Sequence, residues 1–314
     1  MENYINKKIK TITLDSPAKI NLFLHITGKR EDGYHNIQTV FQLLDYSDNL
    51  RFKLRDDDKI NTINNTESSF NINEKDNLIL KAATLLKKTV NTKNKLCGVD
   101  INVLKKIPIG GGLGGGSSNA ATTILGLNYL WDLNLSYQEL FSIGRQLGAD
   151  IPLFIKGKNC FAEGIGDQIT QLKLPKMCFL VLKPPINVST KDIFSQTELT
   201  RSTQHIKMAA VLNTGLRNIL ADPTKNSRFV NNCEPTVRKL YRPINEAFEW
   251  LNQYANPRLT GTGSCIFAYF ENYDKAKDVL ARMPKEYNGF VSFGSDESNT
   301  HIQLAKISDN IINN

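Results

Sequence analysis

A run of six glycines in seven residues, Gly110–Gly116 broken only by Leu113, limits this 314-residue chain more than any other segment. Glycine adopts positive φ freely and carries no Cβ, so consecutive backbone N–H groups can turn toward one ligand. The flanks indicate what the run is for. Val99–Leu104 alternates, with Val99, Ile101 and Val103 on one face, which predicts a strand. Ser117–Trp131 is apolar nearly all round, at Ala120, Ala121, Ile124, Leu125, Leu127 and Trp131, which predicts a buried helix. A helix N-terminus presents unpartnered N–H groups and the positive end of its dipole, so a glycine loop opening a helix is an anion cradle. Ser117 and Ser118 are placed to offer hydroxyls to a phosphate or a metal-bound oxygen. The expected ligand is a di- or triphosphate held by Pro108, Ile109, Gly110, Gly111, Gly112, Leu113, Gly114, Gly115, Gly116, Ser117 and Ser118.

Other uses of such a loop fit less well. A Walker A loop needs a Lys after its last glycine, and none follows here. Gly110, Gly112 and Gly115 formally satisfy the dinucleotide pattern GxGxxG, which is a weak match in so glycine-dense a run. It also lies a hundred residues in, whereas dinucleotide folds begin with it. A flexible linker would lack the apolar strand and helix on either side.

The rest of the chain reads as a two-domain α+β protein. Strands are expected at Ile9–Leu14, Lys19–Ile26 and Ile37–Leu44, with a polar turn at Gly28–His35 and a variable loop at Asp56–Asp76. Asp76 or Asn77 caps a helix from Leu78 to about Val90, with Leu78, Ala82, Leu85, Leu86 and Thr89 on one face. Ser136 and Glu139 form a capping box for a helix stopped at Gly148. A strong strand at Met177–Leu182 follows a boundary near residue 164, giving domains 1–163 and 164–314. Helices at Pro243–Tyr254 and Tyr273–Met283, a strand at Gly289–Phe293 and a fraying tail at Ser308–Asn314 complete the reading.

Net charge is +8, with Lys and Arg scattered rather than clustered; runs such as Lys105-Lys106 read as solvated faces, which argues against nucleic acid and suits polyanionic small ligands. The five cysteines form no CxxC pair, and no His stands at metal-ligand spacing; isolated thiols fit a reducing compartment. No signal peptide and no run of about 18 apolar residues is present, so a soluble cytoplasmic protein with no membrane partner is expected.

The glycine loop, in the order Pro108 to Ala120, resembles the phosphate loop of the GHMP kinases, a family that includes galactokinase, homoserine kinase and mevalonate kinase. Its long Gly-Gly-Gly spacer is similar to the branch that phosphorylates the 2-hydroxyl of 4-diphosphocytidyl-2-C-methyl-D-erythritol, in the non-mevalonate isoprenoid pathway. Three more segments resemble that branch: SPAKINLFLHITGKREDGYH (Ser16–His35), LGADIPLF (Leu147–Phe154) and LTGTGSCIFAYF (Leu259–Phe270). The likeness runs from Ser16 to about Gly294 and is weak through Asp56–Lys75 and Arg201–Asn231.

The resemblance implies an N-terminal ATP-binding domain of the ribosomal protein S5 domain 2 type, with a left-handed βαβ unit, and a C-terminal ferredoxin-like αβ sandwich. It implies ATP as co-substrate and a cytidine diphosphate sugar-alcohol as substrate; no carboxylate cage for a metal can be read from the residues, so Mg²⁺ is expected to arrive with ATP. It makes Asp150 and Lys19 the catalytic pair, and sets Asn77 and Lys105 at the nucleotide. It makes Tyr34 a stacking partner for the base, His35 a hydrogen-bonding partner for its edge and Phe194 the opposite face, with Asn21 and Thr190 touching the substrate. The Thr260–Ser264 loop closes behind the transfer site. A monomer or weak homodimer is expected. Another GHMP kinase remains an alternative, set apart by the DGYH segment and Phe194. A non-catalytic nucleotide-binding or RNA-binding protein is a further one, disfavoured by the Lys19–Asp150 pair.

Overall fold

A computed structural model describes residues 9–65, 77–90, 96–221 and 228–312. Asp76 and much of the expected 56–76 loop lie outside the described residues, as do Asn313 and Asn314 of the tail. The chain opens with two long antiparallel strands, β1 (Thr11–Lys29) and β2 (His35–Leu54), then β3 (Ile60–Asn65), α1 (Leu78–Thr89) and β4 (Val99–Leu104). Next come α2 (Gly115–Leu130), α3 (Tyr137–Leu147), α4 (Ile151–Lys156), β5 (Cys160–Glu163) and β6 (Gln168–Gln171). The second half runs β7 (Cys178–Lys183), α5 (Thr190–Ser195), α6 (Met208–Thr214), α7 (Leu216–Ala221), α8 (Glu234–Leu240) and α9 (Arg242–Leu251). It ends with β8 (Pro257–Leu259), β9 (Ile266–Phe270), α10 (Tyr273–Ala281), β10 (Asn288–Ser295) and α11 (Asn299–Ile312).

Local chemistry accounts for much of this. In β4 the buried residues are Val99, Ile101 and Val103, as the alternation requires. Asn77 caps α1 by accepting from the N–H groups of Ile79 and Leu80. The face that α1 buries is Ile79, Ala82, Ala83 and Leu86, so it is rotated from the expected one and leaves Thr89 exposed. Helix α3 has the Ser136–Glu139 capping box and ends at Gly148. The three expected N-terminal strands are in fact two of 19 and 20 residues. Pro17 does not end β1 because it falls where the pairing register shifts, between Pro17 and Lys19.

Strand β3 runs parallel to β4, with α1 between them, and the other pairings among named strands are antiparallel. The strand order β3-β4-β2-β10-β7-β9-β8 joins both halves, because β10 pairs with β7 over Asn288–Phe293 and touches β2 at Gly294 and Ser295. The β5–β6 hairpin straddles residues 163 and 164 and pairs with β2. The expected fraying tail is corrected: residues 308–312 belong to α11, whose Leu304 and Ile307 pack against the N-terminal core.

Three apolar clusters result. One fills the N-terminal half under α1, α2 and α3. Another fills the C-terminal half around α8, α9 and β9. The middle one is shared: Ala18, Ile20 and Leu22 of β1 meet Phe179, Val181 and Phe267 of the C-terminal sheet. Leu113, the one apolar residue inside the glycine run, is buried in this middle cluster. Burying it contributes about 2 kcal/mol and pins the loop to the floor between the halves.

Candidate active site

The glycine loop keeps its N–H groups open by geometry that only glycine fits. Gly110, Gly112 and Gly114 have φ of 68°, 74° and 70°. A Cβ at Gly114 would lie 2.9 Å from the Phe154 ring and 3.0 Å from Lys19 Cγ, and one at Gly112 would meet the carbonyl oxygens of Thr260 and Gly263. Gly114 is also the N-cap of α2 and gives no side-chain cap, so the first N–H groups of that helix face the loop's cavity without a side-chain partner. The cavity, about 310 Å³, is lined by Asn77–Ile79, Lys105, Ile107–Ser117 and Asn119.

Behind it lies a buried polar network that the sequence did not suggest. Asp48, fully buried, accepts from the backbone N–H groups of Lys106 (2.7 Å) and Ile107 (2.8 Å) and pairs with Lys105 Nζ. Asn119 donates to Asp48 and to Ser16, and accepts from Lys105 at 2.9 Å. Ser16 in turn donates to Ser118 at 2.7 Å. Two expectations shift as a result. Ser118 is fully buried in this network rather than lining the cavity, while Ser117 does line it. Asn77 forms part of the wall, but its amide is engaged in capping α1 and in donating to Thr62 at 3.1 Å.

On the other side of the loop is a larger cleft of about 920 Å³. Gly112, Gly114 and Ser117 line both cavities, so the loop is the shared wall between them. Lys19 and Asp150 face each other there, with Nζ 3.4 Å from Oδ2; Lys19 is 4% exposed and Asp150 34%. Lys19 is held on every side: its N–H donates to Leu113 O at 2.9 Å, its ammonium donates to Asn21 Oδ1 at 2.8 Å, and Nζ sits 5.1 Å from the centre of the Phe41 ring. Asn21 also donates to Thr39 at 2.9 Å. Asp150 is the N-cap residue of α4 but makes no capping hydrogen bond, so its carboxylate is left to the cleft.

The Thr260–Ser264 loop is stitched to the glycine loop. Ser264 and Cys265 donate from their N–H groups to Gly110 O and Gly111 O, and Thr260 Oγ1 donates to Gly112 O. Thr262 hydrogen-bonds Thr190 at 2.9 Å. Asn231, another residue without a sequence signal, donates to Leu259 O (2.9 Å) and Gly261 O (2.8 Å) and so fixes this loop from behind.

At the far end of the cleft, the Asp32-Gly33 turn places Tyr34 and His35. Gly33 has φ 86°, Tyr34 N–H donates to Asp32 at 3.1 Å, and Arg30 N–H donates to Tyr34 O at 2.8 Å. Tyr34 is 60% exposed, while His35 is buried with its ring centre 4.9 Å from that of Phe194. Lys29 and Lys191 also line this end. Among the described residues, no group of three or more His, Cys, Asp and Glu could hold a metal ion, and no helix is long and apolar enough to cross a membrane. Four cysteines are buried and one, Cys97, is exposed; burial pushes the Cys160, Cys233 and Cys265 thiols up to about 12.

Residues 77–158 match the family model for the GHMP kinases N terminal domain, and residues 208–289 match that for the GHMP kinases C terminal domain. The chain belongs to the GHMP kinases, ATP-dependent kinases of small molecules. It is 46% identical, over 92% of its length and 95% of the relative's, to a 4-diphosphocytidyl-2-C-methyl-D-erythritol kinase of Hahella chejuensis. It is 46% identical over 94% of its length and 98% of the relative's to one of Marinobacter nauticus. A crystal structure of 4-(cytidine 5'-diphospho)-2C-methyl-D-erythritol kinase superposes with a TM-score of 0.75 at 27% identity, covering 90% of this chain and all of that one. The mevalonate kinase of Methanococcus jannaschii, at 18% identity, shares the fold with a TM-score of 0.65 over 92% of this chain and 99% of that one. Within the GHMP kinases, the chain falls in the 4-diphosphocytidyl-2-C-methyl-D-erythritol kinase branch.

Proposed function

We propose that this chain transfers the γ-phosphoryl group of ATP to the 2-hydroxyl of 4-diphosphocytidyl-2-C-methyl-D-erythritol. The observation that carries the reading is the shared wall: the Lys19–Asp150 pair stands where the glycine loop separates the nucleotide cavity from a cleft ending in Tyr34, His35 and Phe194. The loop's N–H groups and the start of α2 hold the phosphates. Tyr34 and Phe194 flank the cytosine, His35 bonds its edge, and Asn21, Thr190 and the Thr260 loop orient the sugar alcohol. Lys105 contacts the nucleotide at the end anchored by Asp48.

Acidity limits the part Asp150 plays. An alcohol ionises near water's pKa, about 15.7, and a carboxylic acid near 3.9, so full deprotonation before transfer would cost about 16 kcal/mol. A kinase turning over about ten times per second has a total barrier of about 16 kcal/mol. Prior deprotonation would consume all of it. Asp150 therefore orients the hydroxyl and accepts its proton late, while Lys19 steadies the carboxylate and the charge on the transferring phosphoryl through a loose transition state. Asp150 and Ser117 line the cleft beside the loop, and their carboxylate and hydroxyl would be the protein's donors to Mg²⁺ arriving on ATP with several of its waters. Bound there, it would offset phosphate charge.

We place the division between the two lobes after the β5–β6 hairpin, with α11 belonging to the first lobe, and read the protein as a cytoplasmic monomer or weak homodimer. A coupled ADP-release assay tests the reaction, with the cytidyl substrate alongside mevalonate and homoserine. Turnover of the cytidyl substrate alone is expected; equal or faster turnover of either control overturns the assignment.

A further inference from the structure

Arg201 lies in the stretch where the sequence resemblance is weak, yet its guanidinium is tied at every nitrogen. Nε donates to His35 Nε2 at 3.1 Å. Nη2 donates to the carbonyl oxygens of Phe194 (2.9 Å) and Gln196 (2.6 Å), and Nη1 to that of Leu199 (3.1 Å). One side chain thus holds both the imidazole and the end of α5 that carries Phe194, and the two rings it fixes pack on each other.

The Nε contact has a chemical consequence. A guanidinium stays charged at any working pH and only donates. His35 Nε2 must therefore be the unprotonated nitrogen, which leaves the ring neutral with its proton on Nδ1. We propose that Arg201 is a positioning residue that fixes His35 as a neutral Nδ1–H donor and so sets the site's preference for cytosine over uracil. This rests on the base-site reading above. Cytosine presents an acceptor at N3 where uracil presents an N–H, so a fixed donor donates to the first and is repelled by the second. Burial first, then the Arg201 cation and the Lys29 ammonium, hold the His35 pKa below its ordinary value. The charged groups lining this end are Lys29, Lys191 and Asp32, and Asp32 is paired with Arg30. Removing Arg201 takes away one of two cations acting on the ring, so the imidazole gains a proton at higher pH.

The test begins without ligand. Nitrogen-15 NMR of histidine-labelled protein, with the His35 signal identified by its loss in His35→Asn, is expected to show Nδ1 protonated and Nε2 bare at pH 7. In Arg201→Met the ring is expected to become a tautomer mixture with its titration midpoint moved up. The second arm measures CDP and UDP binding. The wild type is expected to prefer CDP on the order of tenfold or more, and Arg201→Met to lose most of that preference. In turnover, KM for the cytidyl substrate is expected to rise about tenfold while kcat and KM for ATP stay within about twofold. Arg201→Lys, which keeps the charge but not the fork, is expected to keep the low midpoint and recover part of the preference. That variant also guards against a misfolded Arg201→Met. A proton on Nε2 in the wild type, or an unchanged CDP/UDP ratio in Arg201→Met, overturns the proposal. Equal binding of CDP and UDP by the wild type overturns the base-site reading and the discrimination with it, and the ligand-free tautomer tells the two failures apart.

Discussion

The two ends of the site are built differently. Eleven consecutive residues, Ile107–Ser117, wall most of the proposed nucleotide cavity, backed by a buried network around Asp48 and Asn119. The proposed base end takes Tyr34 and His35 from one turn and Thr190 and Phe194 from a short helix far along the chain, with His35 and the Phe194 carbonyl tied by Arg201. An anion needs only N–H groups and a dipole, which one stretch of backbone supplies. A base needs two flat faces and a patterned edge, which no single stretch provides.

The largest expected effect falls where the ends meet. Asp150→Asn should abolish turnover and leave ATP binding nearly intact. Retention of more than about a tenth of the rate, some 1.4 kcal/mol of barrier, would remove Asp150 from the chemistry. Gly114→Ala disturbs the shared wall, pressing on Lys19 as well as the proposed nucleotide end. Its left-handed φ and the contacts with Phe154 and Lys19 leave no room for a methyl group, so kcat/KM for ATP should drop about 100-fold, some 2.7 kcal/mol. A variant with near-normal kinetics would show that the loop is not rigid. Tyr34→Ala weakens the base end alone. Stacking contributes about 1–3 kcal/mol, so the substrate KM should rise roughly 10- to 100-fold with ATP binding untouched; an unchanged KM argues against stacking.

The smallest effect is on stability. Burial holds the pKa of His25, His35 and His301 below 6.5. As pH falls below 6.5 the unfolded chain takes up protons that these folded imidazoles refuse, so stability falls until pH passes the folded values. A Tm lower by a few degrees at pH 5 than at pH 7 is expected, and His35→Asn should remove only the base end's share. Calorimetry showing a flat or rising Tm would contradict the burial of these rings.

The same contrast governed what the sequence revealed. β4, the glycine loop, α2 and the Ser136 box follow from neighbours in sequence, so local rules found them. Asp48, Asn231 and Arg201 act on partners 59, 30 and 166 positions away, and no spacing rule connects such residues. Lys19, Asp150, Tyr34 and Phe194 were singled out through family resemblance rather than local physics. The long β1 was hidden because Pro17 reads as a break unless the bulge beside it is known. Helix α11 was hidden because its Asn-rich end gives no apolar stripe, although Leu304 and Ile307 find the N-terminal core.

That last helix ties the late part of the chain back to the N-terminal half. Gln303 exchanges hydrogen bonds with Asp15 (2.7 and 2.9 Å), and Thr300 reaches Asp15 O and Thr122, so α11 is fastened to β1 and α2. The residue leading into β7 and the end of β10 touch where Gly294 N–H donates to Met177 O at 2.8 Å. Beside it, β10 pairs with β2, Ala18, Ile20 and Leu22 of β1 pack on Phe179, Val181 and Phe267, and Leu24 exchanges backbone hydrogen bonds with Val230 and Asn232. Any relative movement of the halves would have to break these contacts together, so the cleft and the loop that divides it are held as one preassembled unit.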